Sequence, residues 1–125
     1  MFNTSVQSSF SVASNTPVAT TTSALSCRSL EQLESDIISL SEHINAAEYD
    51  FLVLIREFDI RQGWKAWLFN NCAEWLNFKC GMSLGTAREK VRVALALYDL
   101  PACSAAFSKG QLSYSKARAL SRVAS

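Results

Sequence analysis

Nine apolar side chains recur at alternating steps of three and four along one stretch of the chain: Leu30, Leu33, Ile37, Leu40, Ile44, Ala47, Phe51, Leu54 and Phe58. That spacing is an a/d seam, and only a helix of roughly 30 residues, about 45 Å long, presents it on one side. Ser29-Leu30-Glu31-Gln32 has the form of a capping box and sets the start of the helix. Gly63 suits the left-handed position that ends it. Glu34, Asp36, Glu48, Asp50 and Glu57 flank the seam, so a parallel copy would set like charges together and a simple self-zipper is disfavoured. Two uses of the seam stay open: packing on helices later in the chain, or binding a partner coil.

Residues 1–27 hold no charged side chain and are dominated by Ser and Thr with no apolar period, so 1–28 reads as a disordered leader and 29–125 as the folded part. The leader has neither a basic start nor a continuous apolar run, so export is not expected and the location is read as cytoplasmic. No run approaches the roughly 18 apolar residues of a membrane span.

Beyond the long helix, every segment keeps a helical period. Asn71-Cys72-Ala73-Glu74 caps a short helix closed by Gly81. Thr86, or Ser83 just before it, caps a longer one reaching Tyr98, with Ala87, Val91, Ala94, Leu95 and Tyr98 as its buried stripe. Pro101 opens another that ends at Gly110, and Ser113 caps a last one through Val123. The expected fold is all-α, a long amphipathic helix packed on two helix-turn-helix-like pairs. Trp75 is read as core, and Trp64 and Trp67 as seals at the end of the long helix.

The net charge of +1 conceals an opposition. Residues 28–62 carry about five negative charges in excess, and residues from 63 onward about six positive ones. The second helices of the two pairs align as AREKVRVA (Ala87 to Ala94) and ARALSRVA (Ala117 to Ala124). Their alanines let helices cross closely, while Arg88 with Arg92, and Arg118 with Arg122, fall at i, i+4. Guanidinium groups suit phosphate and guanine edges. Arg88, Lys90, Arg92, Lys116, Arg118 and Arg122 are therefore the candidate nucleic-acid contacts, with DNA as the expected partner. The competing reading is that the acidic helix neutralises them.

Catalytic chemistry is not readable. Cys27, Cys72, Cys80 and Cys103 lack zinc-site spacing and are expected as reduced thiols, His43 stands alone on a g position, and no metal or cofactor site is expected.

The runs LSEHINAAEYDFLVLIREFD, CAEWLNFKCGMSLGTAREKVRVALALYDLP and SAAFSKGQLSYSKARALSRVA, across roughly residues 37–125, resemble a known family. The most specific pieces are Ala73 to Leu76, Ala87 to Ala94, and Leu112 to Arg118. The chain is similar to the helical domain of unknown function, family two-two-two, found at the amino end of many bacterial HNH endonuclease proteins. The resemblance implies a helical module associated with a metal-dependent nuclease. It does not bring the nuclease activity to this chain, because the single histidine cannot assemble a metal-assisted phosphodiesterase. The expectation is a non-catalytic module for nucleic-acid binding or nuclease targeting. The alternative is a protein-interaction or structural helical fragment, incomplete at its carboxy end or a truncated remnant of a longer nuclease, which would bind other helices of the family or the missing part.

Overall fold

A computed structural model describes residues 25–123 of the chain. From Leu30 onward it contains α1 (Leu30–Ile60), a 3-10 helix (Gly63–Trp67), α2 (Cys72–Cys80), α3 (Leu84–Leu97), α4 (Pro101–Ser108) and α5 (Tyr114–Val123). No strand occurs among the described residues, and the fold is all-α. Most of the expected leader lies outside the described residues.

Two compact units divide at Ile38, and α1 runs through both. In the first, the Ser29 hydroxyl accepts the Gln32 N–H at 3.0 Å, and Gln32 Oε1 accepts the Ser29 N–H at 2.9 Å, which is the capping box read from the sequence. Arg28 pairs with Asp36, so the tail end of the expected leader is tied to the helix.

In the second unit, Asn45 to Asp59 supply the packed face of α1. Leu52 and Ile55 join Cys72, Ala73, Leu76, Ala87, Val93, Ala94, Leu97, Phe107 and Ala117 in one core. Tyr49 meets Phe107 edge-on at 5.6 Å and Phe58 lies 4.3 Å from Trp75, joining α1 to α4 and α2. Consecutive helices α2 and α3 touch, as do α4 and α5, and α3 also contacts both α4 and α5. The chain bends by 114° between α3 and α4, where Pro101 occupies the first turn without forfeiting a helical hydrogen bond.

The expected seam is only partly the buried one. Phe51 and Phe58 pack against the core, but Ile44 is 59% and Leu54 67% exposed, and the buried Leu52 and Ile55 each stand one residue after a seam position. One residue turns a helix by about 100°, and Phe51 to Ile55 are five consecutive apolar residues, so periodicity leaves the face undecided there. The same correction applies to α3: Val93, Ala94 and Leu97 are buried with Ala87, whereas Leu95 and Tyr98 are exposed. Val91, from the expected stripe, packs partly against the core.

Capping follows the expectations more closely. Asn71 Oδ1 accepts the Glu74 N–H at 2.9 Å and Glu74 Oε1 accepts the Asn70 N–H at 3.0 Å. Ser83, rather than Thr86, caps α3, its hydroxyl accepting the Thr86 N–H at 3.2 Å. The Ser113 hydroxyl accepts from Lys116 at α5. Gly81 and Gly110 adopt φ of 73° and 80°. Gly63 does not supply the left-handed turn: Gln62 does, at φ 57°, and a Cβ on Gly63 would fall 2.3 Å from the Phe58 ring. Trp64 donates its indole N–H to Asp59 at 3.2 Å and clasps the end of α1. Trp67 instead stays exposed beneath the Lys79 ammonium, 3.8 Å from its ring centre, which corrects its expected sealing role.

Gly110 carries a double constraint. Its φ is left-handed, and a Cβ there would meet the Glu42 carbonyl oxygen at 2.4 Å. The Asn45 amide also donates to the Gly110 carbonyl at 3.4 Å, fastening the α4–α5 turn to α1. Gly110→Ala is expected to destabilise the protein by about 2–3 kcal/mol. Gly85→Ala, in the first turn of α3 with open space around it, is expected to stabilise by roughly 0.5 kcal/mol. Urea unfolding of the two variants checks the pair, which should move in opposite directions.

Candidate nucleic-acid interface

α3 and α5 bring both octets of the internal repeat together. Ala87 and Ala117, their first residues, are each fully buried, so the two helices approach closely and place the following arginines beside one another. The close approach read from the alanines is therefore present, but the arginines do not simply project into solvent. They converge on Glu89.

Arg92 grips this carboxylate with both ends of its guanidinium fork, Nε to Oε1 at 3.1 Å and Nη2 to Oε2 at 2.8 Å. Arg118 Nε donates to Oε2 at 2.6 Å and Arg122 Nη2 donates to the same oxygen at 2.7 Å. Charge-assisted bonds of this kind are among the strongest available to side chains. Beneath them, Ser121 is a buried polar residue whose hydroxyl accepts from Arg92 Nη2 at 3.2 Å and donates to the Arg118 carbonyl at 2.6 Å.

Hydrogen bonds from Arg92 and then Arg118 hold the Glu89 carboxyl down at about pKa 2. The bond to Glu89 in turn raises the already high pKa of Arg92. Three guanidiniums thus gather on one carboxylate. Arg118 and Arg122 keep about half of their side-chain surface open to solvent. Arg88 and Lys116 are exposed, and no side-chain ion pair or hydrogen bond holds either among the described residues.

Lys90 belongs elsewhere. Its side chain is 13% exposed, its ammonium pairs with Glu48 of α1, and it sits 3.8 Å over the Tyr114 ring. That placement takes Lys90 out of the exposed set read from the sequence and makes it a tie between α1, α3 and α5. It is also the one member of the six for which the acidic helix supplies the counter-charge.

An open depression of about 410 Å³ adjoins the cluster, lined by Ser83, Gly85 and Thr86 from the first turn of α3 and by Glu89, Tyr114 and Arg118. A helix amino terminus beside guanidinium groups is a favourable environment for a phosphate oxygen. Burial raises the Tyr114 hydroxyl above its ordinary pKa, so it remains a neutral hydrogen-bonding group at that edge.

Periodicity missed Glu89 as the centre of the cluster. Its signal was present in Glu89-x-x-Arg92 at i, i+3, and in Ala119 standing where the second octet would need its own acid. Elsewhere, burial first and then Asp59 push the Cys72 thiol up to about 11, and burial raises Cys103, so both stay protonated. None of the four cysteine sulfurs is bonded to another. His43 is exposed, its Nδ1 donating to the Ser39 carbonyl at 2.8 Å. No three His, Cys, Asp or Glu side chains gather as a metal site, and no single helix is long and apolar enough to cross a membrane, among the described residues.

The chain matches no protein-family model, no curated protein and no solved structure.

The folded Glu89 pKa lies below its usual value, so the associated stability is fully present above about pH 4.5 and is lost as pH falls through about 2. Glu89→Gln is expected to lower Tm at pH 7 by about 5 °C, the shift that roughly 1 kcal/mol produces in a domain of this size. The difference should vanish toward pH 2. Thermal melts of both proteins from pH 7 down to pH 2 measure it.

Proposed function

We propose that this chain is a non-catalytic nucleic-acid-binding module, equivalent to a helical part of the HNH-endonuclease-associated family it resembles. One observation supports the reading above the others: Arg92, Arg118 and Arg122, from two helices in contact, gather on Glu89 with the exposed Arg88 and Lys116 on the same two helices. It is supported further by the carboxylate at the cluster being Glu89 of α3, whereas Glu48 of the acidic helix pairs with Lys90.

Arg88, Arg92, Lys116, Arg118 and Arg122 would then contact the phosphate backbone. Glu89 would pre-orient three of the guanidiniums, which lowers the entropy lost when they meet an anion. Backbone contact is electrostatic, so affinity falls with salt in proportion to the number of phosphates neutralised.

Duplex DNA binding measured across a salt series tests the reading. Arg118→Ala with Arg122→Ala is expected to weaken binding at least tenfold and to reduce the slope of log affinity against log salt by about 2. An unchanged slope would remove these residues from the interface, and no salt-sensitive affinity in the parent protein would remove DNA altogether.

A second reading, a helical module that binds other helices, is favoured by a different observation. Leu30, Ile37, Leu40, Ile44 and Leu54 are all more than half exposed on α1. Exposed apolar side chains in a helical stripe favour association. Sedimentation separates the two: a monomer with salt-sensitive DNA affinity supports the first, and a concentration-dependent oligomer indifferent to DNA supports the second.

A further inference from the structure

On α1, well away in sequence from the arginine-bearing octets, Arg56 lines a cleft of about 250 Å³ with Tyr49 and Val53 of the same helix, Leu97 of α3, Tyr98 and Pro101. The guanidinium stacks on the Tyr98 ring, 3.8 Å from its centre. No hydrogen bond or ion pair holds it among the described residues, although α1 is rich in carboxylates. The nearest acids in sequence are taken: Glu57 accepts from Arg61 at 2.9 Å, and Asp59 accepts from the Trp64 indole. No carboxylate lines the cleft.

The donors of a partly buried guanidinium are available to an anion, and an anion in the cleft would bond them directly. The contact with the ring leaves the N–H donors without a hydrogen-bond acceptor among the described residues. Those donors form a fork whose spacing matches the two oxygens of a carboxylate. Apart from Ser104, whose hydroxyl donates to the Leu97 carbonyl at 2.7 Å, the remaining wall is aromatic and aliphatic, which suits an apolar body attached to the anion. The cleft lies near the lower end of ligand-pocket sizes, roughly 300–1,000 Å³, so that body is about one ring or a short alkyl chain.

We infer that this cleft between α1, α3 and α4 is a binding site for a small organic monocarboxylate with an aryl or short alkyl body, held by Arg56 and packed against Tyr49, Val53 and Leu97. The site is independent of the nucleic-acid reading, since none of its residues belongs to the arginine cluster. Its occupant bridges three helices and would therefore add stability to the protein that binds it.

Calorimetric titration of the full chain with 3-phenylpropionate, alongside its neutral analogue 3-phenylpropanamide, tests the assignment. The acid is expected to bind saturably and at least tenfold more tightly than the amide. Arg56→Gln should abolish that preference. Val53→Trp, which fills the apolar wall and keeps the cation, should weaken the acid at least tenfold. Lys65→Gln, at an exposed position that does not line the cleft, should leave its affinity unchanged. Circular dichroism establishes that the variants are folded; the comparison of acid with amide on the unaltered protein decides the matter without them. Equal affinity for acid and amide, full retention of acid binding in a folded Arg56→Gln, or no saturable binding up to about 10 mM overturns the inference.

Discussion

The carboxylate of Glu89 is the point on which the basic part of this structure turns. Three arginines from two helices would repel one another if they were brought together without it. With it, α3 and α5 are joined by bonds whose strength comes from charge, above a crossing made close by Ala87 and Ala117. The same arrangement removes one positive charge from the surface and orders the remainder. A cluster of this kind joins two helices and leaves Arg118 and Arg122 about half open to solvent.

The acidic and basic parts of the chain meet less than their composition suggests. Lys90 and Glu48 form a largely enclosed pair, and Tyr114 covers the ammonium from another side. Three other acids of α1 are committed locally, Asp36 with Arg28, Glu57 with Arg61 and Asp59 with Trp64. Pairs of this exposed, short-range kind contribute little stability, so the contact between α1 and the later helices rests on apolar side chains around Leu52, Ile55 and Phe107. The charge opposition is thus spread over separate local contacts rather than joined in one interface.

α1 has more apolar surface than its packing consumes. Leu52 and Ile55 are buried, while Ile44 and Leu54 of the regular seam remain open. The last helix has a similar asymmetry: Ala117 is buried where Ala87 is, yet Val123, the counterpart of the fully buried Val93, is 84% exposed. The repeat is therefore a repeat of helix start and charge, and only partly one of environment. These exposed positions are the physical ground for weighing a helix-binding role beside a nucleic-acid one.

Local chemistry made much of this legible from the amino acids alone. Ser29 with Gln32, Asn71 with Glu74, Pro101 and Gly81 set helix ends through contacts within a few residues, so their meaning does not depend on the rest of the chain. The all-α character likewise follows from period. Which face of α1 is buried was decided only by the tertiary structure, because Phe51 to Ile55 are apolar around more than half the helix and several rotations bury comparable area. The withdrawal of Lys90, the gathering of three arginines on Glu89 and the isolation of Arg56 were decided there as well. Each depends on distances between residues far apart in the chain, which spacing along a helix does not encode.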